Sequence, residues 1–232
     1  MAQSVEMWRL AINIVLCVIL VLTPAQTFSA KKTAPQITED GLELEKQTGQ
    51  RLVYLRPGAT FTQYNRVALL DCHVEFSKSW LRDYNRSADL ARRISDSDLE
   101  RAKTDLAKQL KKIFTEELAR GGYRVSDTVT PDTLTLRPAL VNIEVSAPDL
   151  MTPGHSVVYA RTAGQMTLYL ELWDGTTNTI LARVVDAQGD SGMYGLRTNS
   201  VTNRAAAERI LRIWAEELHK KLDLVRGKTA GD

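Results

Sequence analysis

Periodic patterns of apolar residues divide the chain into short strands and two long helices. Apolar side chains recur every three or four residues from Leu99 to Leu118 and from Ala206 to Leu222, as is typical of helices that bury one face. Apolar runs predict strands at 51–55, 66–76, 123–125, 134–145, 166–173 and 180–187. We therefore expect an α+β fold, with a largely antiparallel sheet of about five or six strands and both amphipathic helices packed on one face.

Two local signals refine these elements. Thr202 or Asn203 can cap the first turn of the second helix, which is predicted to begin there. The apolar positions change parity between Leu136 and Val141. Since proline cannot donate a backbone hydrogen bond to a sheet, we expect a β-bulge around Pro138.

Residues 10–22 form an apolar run near the start of the chain. A helix of this length spans about 20 Å, well short of a membrane core of about 30 Å. Arg9 precedes the run, Pro24 follows it, and small residues come just before Lys31. This order predicts a secretory signal peptide over residues 1–30. The alternative is an uncleaved membrane anchor.

The remaining chain is predicted to hold one domain. Residues 31–50 are polar and aperiodic, so we expect a flexible tail there, followed by a single α+β domain over 51–226 and a disordered tail over 227–232. The length of 232 residues fits one domain. The net charge of only +2 gives no general basic field, so we expect no nucleic-acid partner.

Two cysteines are too few for a disulfide scaffold. Cys17 lies within the apolar run and follows Leu16, whereas a lipidation site needs a small residue directly before the cysteine. We therefore expect Cys17 to be removed with the signal peptide. Cys72 lies in an apolar stretch and is predicted to be a buried, unreactive strand thiol.

Catalytic and metal-binding motifs are incomplete. The turn at 189–192 resembles the nucleophile turn of trypsin-like proteases, but that chemistry also needs a histidine base and an orienting carboxylate. The enzyme hypothesis is a hydrolase with a site on loops near Asp190, Ser191 and His155. The other histidines, His73 and His219, form no ligand pair, and we expect His219 on the surface. No catalytic residue, metal or cofactor is predicted.

The candidate partner-binding site lies in residues 77–95, which we expect to be irregular. Trp80 and Tyr84 recur with Phe76 at every fourth residue, and Arg82 and Arg86 are interleaved with them. Aromatic and arginine side chains are the usual anchors of protein interfaces. The alternative is that the two aromatic residues only pack this segment onto the sheet.

Three stretches resemble one bacterial family. They are LVYLRPGATFTQYNRVALLDCHVEF at 52–76, the helix from Ser95 to Val125, and RAAAERILRIWAEELHKKLD at 204–223. This pattern, including the closing helix, is similar to the domain-of-unknown-function family 3313, whose members are mostly described as predicted lipoproteins. The resemblance implies an envelope location. It brings no activity, cofactor or functional residues.

Together these features predict an exported protein of the cell envelope of a Gram-negative bacterium, in the periplasm or on the periplasmic face of a membrane. The leading functional hypothesis is a non-enzymatic accessory or protein-binding module with an envelope protein as its partner. The hydrolase is the alternative, and a membrane-tethered structural protein is a third. Membrane contact is expected only through the N-terminal segment.

Overall fold

The computed structural model describes residues 34–90, 93–145, 158–160, 164–189, 196–198 and 200–226. The predicted signal peptide at 1–30 and the predicted disordered tail at 227–232 lie outside them. The helices are α1 Lys78–Ser87, α2 Asp96–Arg120 and α3 Ser200–Val225. The strands are β1 Glu43–Thr48, β2 Arg51–Leu55, β3 Arg66–Leu69, β4 His73–Phe76, β5 Arg124–Val125, β6 Thr133–Val145, β7 Val158–Ala160, β8 Gly164–Asp174, β9 Ile180–Gly189 and β10 Leu196–Thr198.

Eight strands form one mixed sheet, in the order β1-β2-β9-β8-β6-β3-β5, and β4 also pairs with β6. Strands β7 and β10 form a separate antiparallel pair. The α+β class is confirmed, but the predicted five or six largely antiparallel strands are wrong in number and direction. Strands β3 and β4 run parallel to β6 because α1 and α2 carry the chain back across the sheet before β6 begins.

The main core lies between one face of this sheet and the two long helices. Residues at every second position of β8, from Met166 to Leu172, are buried on that face. Phe114 of α2 and Leu211 and Trp214 of α3 pack into the same cluster. The predicted placement of both helices on one face agrees with this core. Ile213 of α3, by contrast, is 47% exposed.

A β-bulge does occur in β6, but at Asn142 rather than around Pro138. Asn142 has a backbone φ of 52°, and the register with β8 shifts between Val141 and Glu144. Pro138 pairs in register with β8. On the other side of β6, β3 pairs with β6 as far as Leu136, and β4 pairs with β6 from Ala139 onward. Pro138 therefore faces the gap between β3 and β4. Because no strand of the described residues lies opposite it there, the N–H that Pro138 lacks removes no hydrogen bond from the sheet. The same gap divides the single strand predicted at 66–76 into β3 and β4.

Two helix starts differ from prediction. Residues 77–95, expected to be irregular, contain α1, which begins after Ser77; its hydroxyl accepts a hydrogen bond from the Trp80 backbone N–H. The polar composition of α1 hid it, because only the aromatic residues repeat at helical spacing. Helix α3 begins at Ser200, before the expected caps Thr202 and Asn203.

The segment 31–50 is not a flexible tail over its described part. Strand β1 pairs with β2 at the sheet edge, and Leu42 just before it is fully buried with Tyr54 and Ile180 on the face opposite the helices. Two arginine side chains hold the turn that precedes β1. Arg183 donates to the Asp40 carboxylate, and Arg56 donates to the Asp40 backbone carbonyl. Backbone pairing, the buried Leu42 and the half-buried Leu44 suffice for a strand whose other side chains are polar.

A buried carboxylate joins the sheet to α3. Asp186 of β9 is 3% exposed, and its Oδ2 accepts hydrogen bonds from Trp214 Nε1 at 2.8 Å and from an Arg51 Nη at 2.6 Å. Arg51 also contacts Glu217 at 2.6 Å. The hydrogen bond to Asp186 is the main cause that raises the pKa of Arg51. The ion pair of Arg51 and Asp186, with the hydrogen bond from Trp214, therefore connects β2, β9 and α3.

The first prediction concerns the segment before β1. Replacing the fully buried Leu42 with alanine should lower the free energy of unfolding by about 2 to 4 kcal/mol, because a buried leucine leaves a cavity. Ile37→Ala is the matched control; Ile37 is 63% exposed, so its loss should cost less than about 0.5 kcal/mol. Urea unfolding followed by circular dichroism measures both. Equally small losses of unfolding free energy in the two variants would contradict the folded segment and support a flexible tail.

The second prediction concerns the buried carboxylate. Asp186→Ala leaves the Trp214 indole N–H without its acceptor and removes a charge partner of Arg51, so the free energy of unfolding should fall by about 2 to 4 kcal/mol. Glu217→Ala removes the exposed partner of the same arginine and should cost less than about 1 kcal/mol. Chemical unfolding of the two variants measures the difference, and equal losses contradict the assignment.

Candidate functional site

Three aromatic side chains form a column along α1. Phe76, at the end of β4, stacks on Trp80 with ring centroids 5.8 Å apart, and Trp80 stacks on Tyr84 at 5.9 Å. The indole Nε1 of Trp80 donates to the backbone carbonyl of Val145 at 3.1 Å. The four-residue spacing places these rings on one side of the helix, and the hydrogen bond fixes that side against the end of β6.

The interleaved arginines lie on the other side of α1. Residues two positions apart on a helix are separated by about 200°, so Arg82 and Arg86 point away from Trp80. Their side chains are 62% and 75% exposed, and both lie near the Asp83 carboxylate, at 3.1 Å and 4.0 Å. The structure brings the predicted aromatic residues together but separates them from the predicted arginines.

A groove of about 750 Å³ lies beside the aromatic column. Trp80 forms one wall, and the N-terminal halves of α2 and α3 form two others. The end of β6 and the start of β8 form its floor, where Gly164 permits a close approach: a Cβ there would lie 2.5 Å from the Glu144 carbonyl oxygen. A volume of this size lies in the range of small-ligand pockets.

Most of the groove surface is apolar. The apolar lining comes from Leu99, Ala102 and Leu106 of α2, Ala207 and Ile210 of α3, and Met166 of β8. The three α2 residues and Ile210 belong to the apolar stripes that the sequence assigns to the core. The sequence shows the full length of the apolar stripe on α2. It does not show that the sheet and α3 cover only part of that stripe.

A row of charged residues on α2 borders this apolar surface. The row has spacings of three and four and contains Asp98, Arg101, Asp105, Lys108 and Lys112. Arg101 contacts Asp98, and Lys112 is 3.9 Å from Glu116. The row forms a second stripe on α2, parallel to the apolar one.

The residues of the hydrolase hypothesis, His155, Asp190 and Ser191, lie outside the described residues, so their arrangement stays a prediction. His73 is exposed on β4, with its Nε2 3.8 Å from Glu75. In the described part of the chain, no group of three or more histidine, cysteine, aspartate or glutamate side chains could hold a metal ion.

His219 is not on the surface as expected. Its side chain is 18% exposed, with Nδ1 3.2 Å from Glu117 Oε1 and Nε2 2.8 Å from Asp223 Oδ2. The ring packs edge-on to Tyr123 and lies so close to Gly121 that a Cβ there would be 2.3 Å from Nε2. These contacts join the end of α2 to α3, so the histidine has a structural place between the two helices.

Cys72 lies just before β4, between the two strands into which 66–76 divides, and not within a strand as expected. Its side chain is half-buried rather than buried as expected, and it packs against the main core. Burial raises the pKa of the thiol to about 12. The thiolate is the reactive form of cysteine, so this position lacks the environment of a nucleophile, as the sequence predicts.

Comparison with known families now identifies the chain. A family model described as "Protein of unknown function (DUF3313)" matches residues 35–218, and the chain belongs to this family. The resemblance drawn from the sequence is thereby confirmed. The match begins before Arg51 and includes β1, in agreement with the folded N-terminal segment. No curated protein matches the chain.

Several solved structures are similar to this chain at low sequence identity. A protein from Xanthomonas campestris is 12% identical, with a TM-score of 0.42 and coverage of 75% of this chain and 91% of that one. The PelC dodecamer from Paraburkholderia phytofirmans is 12% identical (TM-score 0.35, coverage 69% and 96%). A minor lipoprotein from Acinetobacter baumannii is also 12% identical (TM-score 0.34, coverage 70% and 93%). These values are too low to transfer a partner or an activity.

None of the helices in the described ranges is both long enough and apolar enough to cross a membrane.

The third prediction tests the reactivity of Cys72. In a Cys17→Ser background, alkylation by iodoacetamide at pH 8 should be on the order of a thousandfold slower in the folded protein than in urea, because a pKa of about 12 leaves almost no thiolate. The rate should rise about tenfold per pH unit up to pH 11 as long as the fold persists. Mass spectrometry measures it. A plateau near pH 9 contradicts the raised pKa.

Proposed function

We propose that this chain is an exported cell-envelope protein that works as a non-enzymatic binding module, with a protein partner held in the groove beside Trp80. The groove is the observation that carries the proposal. Apolar and aromatic surface surrounded by charged residues is the arrangement of protein-binding hot spots, in which a desolvated centre provides affinity and a polar rim provides selectivity.

Export is supported by the sequence alone. The short apolar run at 10–22, with Arg9 before it and Pro24 after it, has the order of a secretory signal. The proposed location is the periplasm, or the periplasmic face of a membrane, in a Gram-negative bacterium.

The separation of aromatic residues from arginines on α1 changes the predicted site. Trp80 and Tyr84 remain candidates because Trp80 lines the groove and Tyr84 stacks on it. Arg82 and Arg86 lie on the outward side of α1 and would reach only a partner large enough to extend over that helix. The groove is therefore the centre of the proposed interface, and these arginines lie at its periphery.

The fourth prediction tests the groove in cells. A photo-crosslinking amino acid at Ala102, an exposed residue of the groove wall, should give one discrete adduct with an envelope protein after irradiation. The same amino acid at Val129, which is 49% exposed and does not line the groove, is the matched control and should give none. Immunoblotting and mass spectrometry of the adduct measure the outcome. The absence of a protein adduct at Ala102, or the same adduct from Val129, contradicts the proposal.

A further inference from the structure

Among the described residues, the apolar stripe of α2 is covered over only part of its length. In the C-terminal half, Leu110, Phe114 and Leu118 are fully buried. In the N-terminal half, Leu99 is half-buried and Ala102 is exposed. A helix packed on a core normally buries its whole apolar stripe, so the uncovered turns of α2 form a surface suited to another apolar element.

The charges beside this surface follow the helix axis. The spacings of three and four between Asp98 and Lys112 extend over 14 residues, or about 21 Å of helix. The same relation, an apolar seam flanked by a charged row, occurs at the interface positions of coiled coils, where the charges select the partner helix. An acyl chain has no charged groups along its length that could pair with this row. A second helix can place charged side chains at the same spacing as the row on α2.

The charged side chains that line the groove give this surface a net positive charge. Lys108 on α2 and Arg204 on α3 both line the groove, and neither has an ion-pair partner among the described residues. Two anions in the same lining, Asp105 and Glu144, likewise have no ion-pair partner among the described residues, and the Glu144 carboxylate accepts a hydrogen bond from Gln165 Nε2. Over the whole lining, four cationic side chains (Arg101, Lys108, Lys112 and Arg204) stand against three anionic ones (Asp98, Asp105 and Glu144), and this positive excess favours a partner with acidic side chains next to its apolar face.

We propose that the groove receives one amphipathic α-helix of a partner protein, with its apolar face on Leu99, Ala102 and Ile210 and acidic side chains directed to Lys108 and Arg204. This inference rests on the proposed function and names the partner's chemistry. Docking a helix there would form a three-helix seam with α2 and α3, and Trp80 would cover one end of the inserted helix. Helix-in-groove binding of this kind is a recurring mode of peptide recognition.

The fifth prediction uses two designed peptides of about 18 residues, long enough as helices to span about 27 Å. Both carry leucine at positions i, i+3, i+4 and i+7; one has glutamate and the other lysine beside the apolar face. The glutamate peptide should bind the full chain about tenfold more tightly, because its charges complement the two free cations. Fluorescence anisotropy of labelled peptide gives both dissociation constants, and a glutamate peptide with scrambled leucine positions should not bind.

A charge reversal gives the decisive comparison. Lys108→Glu with Arg204→Glu should invert the preference, so that the lysine peptide binds more tightly. Lys46→Glu with Lys221→Glu makes the same change in net charge at exposed positions that do not line the groove, and should leave the preference for the glutamate peptide intact. An unchanged ratio in the groove variant, equal binding of the scrambled peptide, or no binding of either peptide overturns the inference.

Other occupants of the groove give distinct results in the crosslinking experiment at Ala102. A link to another part of the same chain, a link to a second copy, or a lipid adduct overturns the helix assignment and the proposed protein partner together. A protein adduct combined with a failure of both designed peptides rejects the helix chemistry alone and leaves the binding module in place.

Discussion

The buried charge pair at Asp186 fixes the register of α3 against the sheet. Trp214 Nε1 donates to this carboxylate, so the helix cannot rotate or slide without leaving a buried acceptor and donor unsatisfied. Ile210 and Ala207 lie four and seven residues before Trp214, on the same helix face. Both line the groove. One hydrogen bond in the core therefore decides which side chains of α3 face the candidate site.

The same sheet has two differently covered faces. The helices cover the face that contains Asp186, and the segment around Leu42 covers part of the other, held by Arg183. This second cover could not be read from the sequence because its strand is polar apart from Leu44 and gains order from backbone pairing and from arginines distant in the chain. The long helices were legible because their stabilising pattern lies within one continuous segment.

Much the same distinction applies to the site. The spacing of Trp80 and Tyr84 was visible, but whether Arg82 shares their surface depends on the backbone between them: in a strand residues 80, 82 and 84 face one way, and in a helix they do not. Local composition left that segment without an assigned helix. The groove itself depends on how far α3 and the sheet extend along α2, which no local pattern contains.

Helix α2 is longer than the part of it that packs in the core, and this leaves its N-terminal turns uncovered among the described residues. Its 25 residues extend about 37 Å, whereas the fully buried positions fall between Leu110 and Leu118. The N-terminal turns are held by a complete capping box, in which Ser95 and Asp98 each accept a backbone hydrogen bond from the other. A helix can therefore persist where little packs on it. Its exposed apolar stripe is thereby held in a fixed shape, and a partner that binds there meets a surface ordered in advance.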